Sequence, residues 1–271
     1  MGRTGQRPIL LIAVASSVLV ALALFFPLVA LIDRASSHIG TLNAQERQTA
    51  RDAIRLSAET SLISLAVILV AGTPFAYLLG RHRFRGRALL DTLVDLPMIL
   101  PPAVAGLALL MAFGRRGVLG EYLNDIGIQI GFSTSAVIIA QIFVASPFYL
   151  RSAAAAFSHV PHIQEEAASD LGAGPVAVLR TITLPSARSG LLAGAVLCWA
   201  RAVGEFGATI MFAGNLPRTT QTLPLAIYGR FEAGDLNTSL VMALILLVSS
   251  GLVLLSVRGI GTRVRVPATE E

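Results

Sequence analysis

Apolar residues in this chain come in long unbroken runs rather than in alternating or one-faced stripes. The first spans Ile9 to Ile32 and is interrupted only by Ser16, Ser17 and Pro27. Five more follow: Ser57 to Leu79, Leu93 to Phe113, Thr134 to Phe157, Gly190 to Ala213 and Ser239 to Val257. A helix needs roughly 20 apolar residues to cross about 30 Å of hydrocarbon. The pattern therefore predicts six transmembrane helices and an all-α integral membrane protein. The first run follows Arg3 and Arg7, as a signal peptide would. The apolar part of a signal peptide is about 7–15 residues long, and this run is 24, so it reads as a retained span.

The one long polar segment between runs is 158–189. Its spacing predicts two short helices joined by a turn. Pro161 opens the first, because Pro is tolerated where the helix N–H has no partner. Glu165, Glu166 and Asp170 lie on it, and Gly172 suits a left-handed cap. Pro175 opens the second, with Val176, Leu179, Ile182 and Thr183 at helical spacing, and Leu184-Pro185 closes it. The hairpin is too short and polar to span, so it is expected on a membrane surface as an apolar knob with acidic flanks. The organisation expected is an N-terminal helix and external loop (1–54), a five-helix domain (55–258) and a tail (259–271). No internal repeat stands out, nor the inverted repeats and broken midplane helices of many secondary transporters.

Composition narrows the function. Charged residues are 14% and hydrophobic residues 54%, against about 25% charged in soluble domains. That excludes an ordinary cytosolic enzyme. The net charge of +5 is scattered and aromatics are 6%, so the basic stripe and stacking platforms of a nucleic-acid binder are missing. All 21 basic side chains are Arg. A P-loop ATPase needs a Lys on the β/γ-phosphates, so ATP hydrolysis would have to come from another polypeptide. With both termini in the cytoplasm, twelve arginines fall inside and eight outside, and the tight cluster Arg81, Arg83, Arg85 and Arg87 is inside. The positive-inside rule favours that orientation. The cluster reads as an orientation signal and a contact for anionic lipid.

Few residues suggest chemistry. His159 and His162 with Glu165 and Glu166 resemble a metal set only superficially, because Pro161 breaks the register between the two His. The lone Cys198 allows no internal disulfide. Arg201 and Glu205, four apart within the fifth run, face the same side of a helix. Two readings stand: a self-neutralising pair that pins helix packing, or groups lining a path, where Arg201 would favour an anion and Glu205 would oppose it. Gly190, Gly194, Gly204, Gly207 and Gly214 suggest close helix contact, expected against a second copy of the chain.

Two stretches resemble a known family. Glu166-Ala167-Ala168, Gly172, Ile182 and Leu184-Pro185 match the EAA signature of ABC-importer permeases. Gly204-Glu205-Phe206-Gly207-Ala208-Thr209, Phe212-Ala213-Gly214-Asn215 and Thr220-Gln221-Thr222-Leu223-Pro224-Leu225-Ala226-Ile227-Tyr228 resemble the molybdate-importer permeases, with sulfate importers as near relatives. Asp95-Leu96-Pro97, Leu100-Pro101-Pro102, Gly106 and Gly114-Arg115-Arg116-Gly117 add to the match, which covers about residues 55–258. The resemblance implies the type I importer permease fold. It also implies a coupling helix in which Glu165, Glu166, Ala167, Ala168 and Gly172 meet a separate ATPase. The small residues would permit close approach, and Glu166 or Glu165 would pair with a cation there. It places the path or gate at Arg201, Glu205, Phe206, Thr209, Gly214, Asn215, Thr220, Gln221 and Thr222. The partners implied are a dimer of cytoplasmic ABC ATPase subunits, an extracytoplasmic molybdate-binding protein, a second copy of the chain and the lipid bilayer. No cofactor is expected on this chain, with ATP and magnesium held by the ATPase. A bacterial cell membrane is the implied location, and sulfate, thiosulfate or tungstate remain alternative cargoes.

Overall fold

The computed structural model describes residues 6–261, with side chains described from residue 12 to residue 252 and at Leu10. Residues 262–271 of the expected tail 259–271 and the side chains of Arg3, Arg7, Arg258, Arg263 and Arg265 lie outside that range, while 259–261 belong to the last helix. Twelve α-helices and no strand occur among the described residues: α1 (Gln6–Ser36), α2 (Ala44–Arg81), α3 (Arg87–Ile99), α4 (Pro102–Phe113), α5 (Gly120–Asp125), α6 (Thr134–Ser158), α7 (His162–Asp170), α8 (Pro175–Val178), α9 (Leu184–Val203), α10 (Gly207–Ala213), α11 (Leu223–Glu232) and α12 (Leu236–Gly261).

The centre is the trio α2, α6 and α9. Helix α2 begins at a reciprocal cap: Asn43 Oδ1 accepts from the Glu46 N–H, and the Glu46 carboxylate accepts from the Asn43 N–H. At about 1.5 Å per residue, its 38 residues run well past the thickness of a bilayer. Its buried stripe is polar, with Ser57, Thr60, Ser61 and Ser64 at helical spacing. In a low-dielectric interior such groups must find partners, and they do. Ser64 donates to Gln141 Oε1 (3.0 Å), Gln141 Nε2 to Thr60 Oγ1 (3.2 Å), Trp199 Nε1 to Ser61 Oγ (3.0 Å), and the Leu223 N–H to Ser57 Oγ (2.7 Å). One seam thus ties α2 to α6, α9 and the start of α11.

Glycines bring the backbones close. A Cβ at Gly80 would lie 2.5 Å from the Ala154 carbonyl oxygen, one at Gly190 2.5 Å from the Ala156 Cβ, and one at Gly194 2.7 Å from the Ser152 Cβ. Gly190 and Gly194 therefore pack on α6 of the same chain. For these two glycines a contact within the chain takes the place of the one expected with a second copy.

The expected single spans are also corrected in two places. Residues 93–113 form two helices, α3 and α4, bent by 116°. Leu100 precedes Pro101, and a residue before proline is driven to extended backbone. Its ψ is 133°, and Pro102 then opens α4. Residues 190–213 break at Gly204-Glu205-Phe206, which separates α9 from α10. Broken helices, unseen in the sequence, are thus part of this fold. Four helices are long and apolar enough to cross a membrane among the described residues, or five if the bent pair counts as one; the apolar part of α12 over Leu236–Leu252 is shorter. Helix α1 is exposed along almost its whole length and packs on α12, as suits a lipid-covered helix.

Candidate functional site

The α7 hairpin caps one end of the bundle, and its turns follow local chemistry. Pro161 is the residue before α7, and Pro175 is the first of α8. Gly172 has φ +89°. Its N–H bonds the Ser169 carbonyl (2.9 Å) while the Ala173 N–H bonds the Ala168 carbonyl (3.0 Å), the paired closure of a Schellman cap. The second helix does not close at Leu184-Pro185 as expected. The chain passes through a wide turn, Leu179–Thr183, where the Leu184 N–H bonds the Leu179 carbonyl, and runs on into α9. A wider turn relieves the clash of Pro185 with the preceding carbonyl.

The hairpin has two faces. Glu166 and Ala167 are exposed, Ala168 half-buried, and Leu171 is 90% exposed at the tip, with Ile163 and Val176 also uncovered. Glu165 turns the other way, so of the two expected glutamates Glu166 is the one that faces outward. Its Oε2 pairs with Arg81 at the end of α2, and its Oε1 accepts from Thr183 Oγ1 at 2.6 Å. Glu166 is therefore the α7 glutamate left free for an external cation. His162 Nδ1 lies 3.1 Å from Arg81 Nη2, and His159 Nδ1 lies 2.6 Å from the Ala155 carbonyl oxygen. Among the described residues no group of three or more His, Cys, Asp or Glu could hold a metal.

The second expected group sits at the α9–α10 break and in the loop after it. Arg201 Nη2 lies 2.7 Å from Glu205 Oε2, and the Glu205 side chain is 1% exposed. Glu205 Oε1 accepts the Ala208 N–H at 2.8 Å, satisfying a donor at the start of α10. This carboxylate thus pins the break and pairs with the arginine. Arg201 also borders a cavity of about 130 Å³ under the α3–α4 elbow, with Pro97, Met98, Phe148 and Val144. Short contacts lock α10 onto α4. A Cβ at Gly106 would lie 2.6 Å from the Ala208 carbonyl oxygen, and one at Gly207 2.4 Å from the Pro102 Cβ.

Beyond α10 the chain turns at Gly214, φ +71°, against the Phe132 ring. Asn215 Nδ2 donates to the Leu225 carbonyl (3.1 Å), and Thr220 Oγ1 accepts the Leu216 N–H (2.9 Å). The rings of Phe206 and Tyr228 meet at 5.0 Å. Tyr228 donates to Glu232 (2.5 Å). That bond and the glutamate charge push the phenol pKa up. Among the described residues the buried atoms Thr209 Oγ1, Thr222 Oγ1 and Asn215 Oδ1 make no hydrogen bond, and Glu205 Oε2 has only its ion contact with Arg201. Gln221 borders a cavity of about 620 Å³ at the end opposite the hairpin, with Gln45, Gln48, Asp52, Arg218 and Arg230. Arg201 and Gln221 therefore line separate cavities of this chain.

Two clusters escaped the sequence reading. Arg151 on α6 grips Asp95 with Nε (2.6 Å) and Nη2 (2.7 Å) and reaches Asp91 with Nη1 (2.6 Å), fixing α3. Arg81, read as part of an orientation signal, is turned inward to Glu165. In both cases the partners lie more than fifty residues apart, where no local spacing reveals them. The i,i+4 spacing of Asp91 and Asp95 was the one available hint of a shared cation.

Residues 72–266 match the family described as binding-protein-dependent transport system inner membrane component. This chain belongs to that family. The permease is 40% identical over 239 residues to the probable transport system permease protein NifC of Clostridium pasteurianum, covering 87% of this chain and 82% of that one. It is 44% identical over 177 residues to the molybdenum transport system permease protein ModB of Escherichia coli K12, covering 65% and 77%. A bacterial ABC transporter involved in the import of the acidic polysaccharide alginate shares the fold, with a TM-score of 0.73 at 17% identity over 96% of this chain and 98% of that one. The permease is an integral membrane protein of the bacterial type and a transport component rather than an enzyme.

Proposed function

We propose that this chain is the membrane-spanning permease of an ATP-driven molybdate importer, moving the oxyanion by alternating access. It works as a homodimer with two cytoplasmic ABC ATPase subunits, which hold ATP and magnesium, and with an extracytoplasmic binding protein that supplies selectivity. Both termini lie in the cytoplasm, so the α7 hairpin faces the ATPase and the cavity at Gln221 faces the binding protein. The observation that carries the mechanical part is the hairpin: a tip of exposed Leu171 with small residues and an unpaired Glu166 behind it, on a chain without lysine. An exposed apolar knob of that kind needs a partner to cover it. The path is assigned to Arg201, Glu205, Phe206, Thr209, Gly214, Asn215, Thr220, Gln221 and Thr222, with the outer gate near 214–228.

The cargo rests on the relatives. Those named for molybdenum transport are 36–44% identical, whereas the probable sulfate transport system permease protein cysT of Nephroselmis olivacea is 31% identical over 240 residues. The test is uptake of labelled molybdate into liposomes holding the chain, the ATPase and the binding protein. Uptake should require all three with ATP and survive excess sulfate. Sulfate competing on equal terms would move the cargo to sulfate. Uptake by the chain alone would make it a secondary transporter.

A further inference from the structure

The Arg81 guanidinium is placed where a membrane protein seldom puts a charge without purpose. Its side chain is 3% exposed, at the last residue of the longest helix. Nη1 donates to the Val160 carbonyl at 2.7 Å and reaches the Phe157 carbonyl at 3.4 Å. Phe157 lies in the last turn of α6 and Val160 two residues past its end, where helix carbonyls run out of intrahelical donors. Nη2 meets Glu165 on α7. The other oxygen of Glu165 accepts from Thr183, on the turn that becomes α9. One arginine and one carboxylate therefore join the ends of α2, α6 and α9 to the inner face of α7. Those three helices are the central trio of the bundle.

We infer that Arg81 is the positioning residue that makes the α7 hairpin and the central trio one mechanical unit, with Glu165 as its counterpart. The inference deepens the proposed function and rests on it, because the tie carries force only if an ATPase docks on the hairpin. The geometry separates two tasks on adjacent residues. Glu166 looks outward and is free to meet a partner, while Glu165 looks inward and transmits. Without the tie, the hairpin stays attached through Pro161 and the wide turn at Leu179–Thr183 but can swing without moving α2 or α6. A planar guanidinium suits this place, since its fork serves carbonyls and a carboxylate at once.

The experiment uses the whole complex in liposomes, with its ATPase and loaded binding protein. The variants are Arg81→Gln, Glu165→Gln, both together, and Arg81→Lys. The reading is molybdate carried per ATP hydrolysed, normalised to assembled complex, because a merely structural role would change the amount of complex and not that ratio. Each glutamine variant should lower the ratio at least about tenfold, since a buried charge left without its partner is strongly disfavoured. The double variant should fall no further, as expected of two residues in one interaction. Arg81→Lys should lie between, because an ammonium cannot hold the whole set. Unchanged ratios in Glu165→Gln and Arg81→Lys would overturn the inference, and so would a loss confined to assembly. Stimulation of hydrolysis by loaded binding protein, read on the same complexes, reports the tie whatever anion is carried. A wild type that hydrolyses ATP under that stimulus but moves no molybdate would therefore sink the cargo assignment alone.

Discussion

The α7 hairpin and the α9–α10 break invert the usual rules of burial in opposite senses. At the hairpin an apolar Leu171 is 90% exposed. At the break an acidic Glu205 is 1% exposed. The first cannot be explained from within this chain, because nothing among the described residues covers it. The second is fully explained from within, because Glu205 meets Arg201 and caps α10. One region is built to meet something else, and the other is built to hold a broken helix together. The hairpin, whose exposed apolar tip has no cover among the described residues, is therefore where the proposed external partner acts.

Three substitutions probe that contrast. Glu205→Ala should have the largest effect on stability, about 3 kcal/mol, because it leaves Arg201 unpaired and strips the cap from α10. Thermal unfolding of the purified chain in detergent measures it, and a shift near zero would show that the break does not depend on the carboxylate. Gly172→Ala should cost about 1 kcal/mol, because φ is +89° and a Cβ is strained there. Space is not the issue, since nothing lies within 4 Å of that Cβ. Hydrogen exchange at the amides of Gly172 and Ala173 should quicken accordingly. Leu171→Asp should change stability by less than about 0.5 kcal/mol, as exposed sites do, yet weaken capture of the ATPase roughly tenfold or more. If Leu171→Asp unfolds the chain or leaves capture intact, the two regions do not differ in the way described.

What the sequence revealed follows the range of each interaction. The hairpin was legible because its signals are local: Pro161, Gly172 and Pro175 act on their own backbone. The Arg201–Glu205 pair was legible because four residues is one helical turn. The Arg81–Glu165 and Arg151–Asp95 pairs were not, since tertiary packing brings them together. The elbow at Leu100-Pro101 lay within reach, because proline constrains the residue before it, but a continuous apolar run concealed it. Leu184-Pro185 shows the opposite error: a proline read as a stop is absorbed by a wide turn. Gly190, Gly194 and Gly207 are close-packing sites as their spacing suggested, but the contact is with α6 and α4 of the same chain, while Gly204 meets only its own helix and Gly214 the Phe132 ring.

The most direct test of the account is a cross-link from the hairpin to the motor. A chain carrying Ala167→Cys and Cys198→Ser, assembled with its ATPase in membranes, should join to that subunit through a short thiol-reactive linker. The yield should change when ATP is bound, while Gln45→Cys at the opposite end of the molecule gives no such product. Absence of any adduct at Ala167, or an equal one from Gln45, would contradict the claim that this hairpin takes force from a separate ATPase.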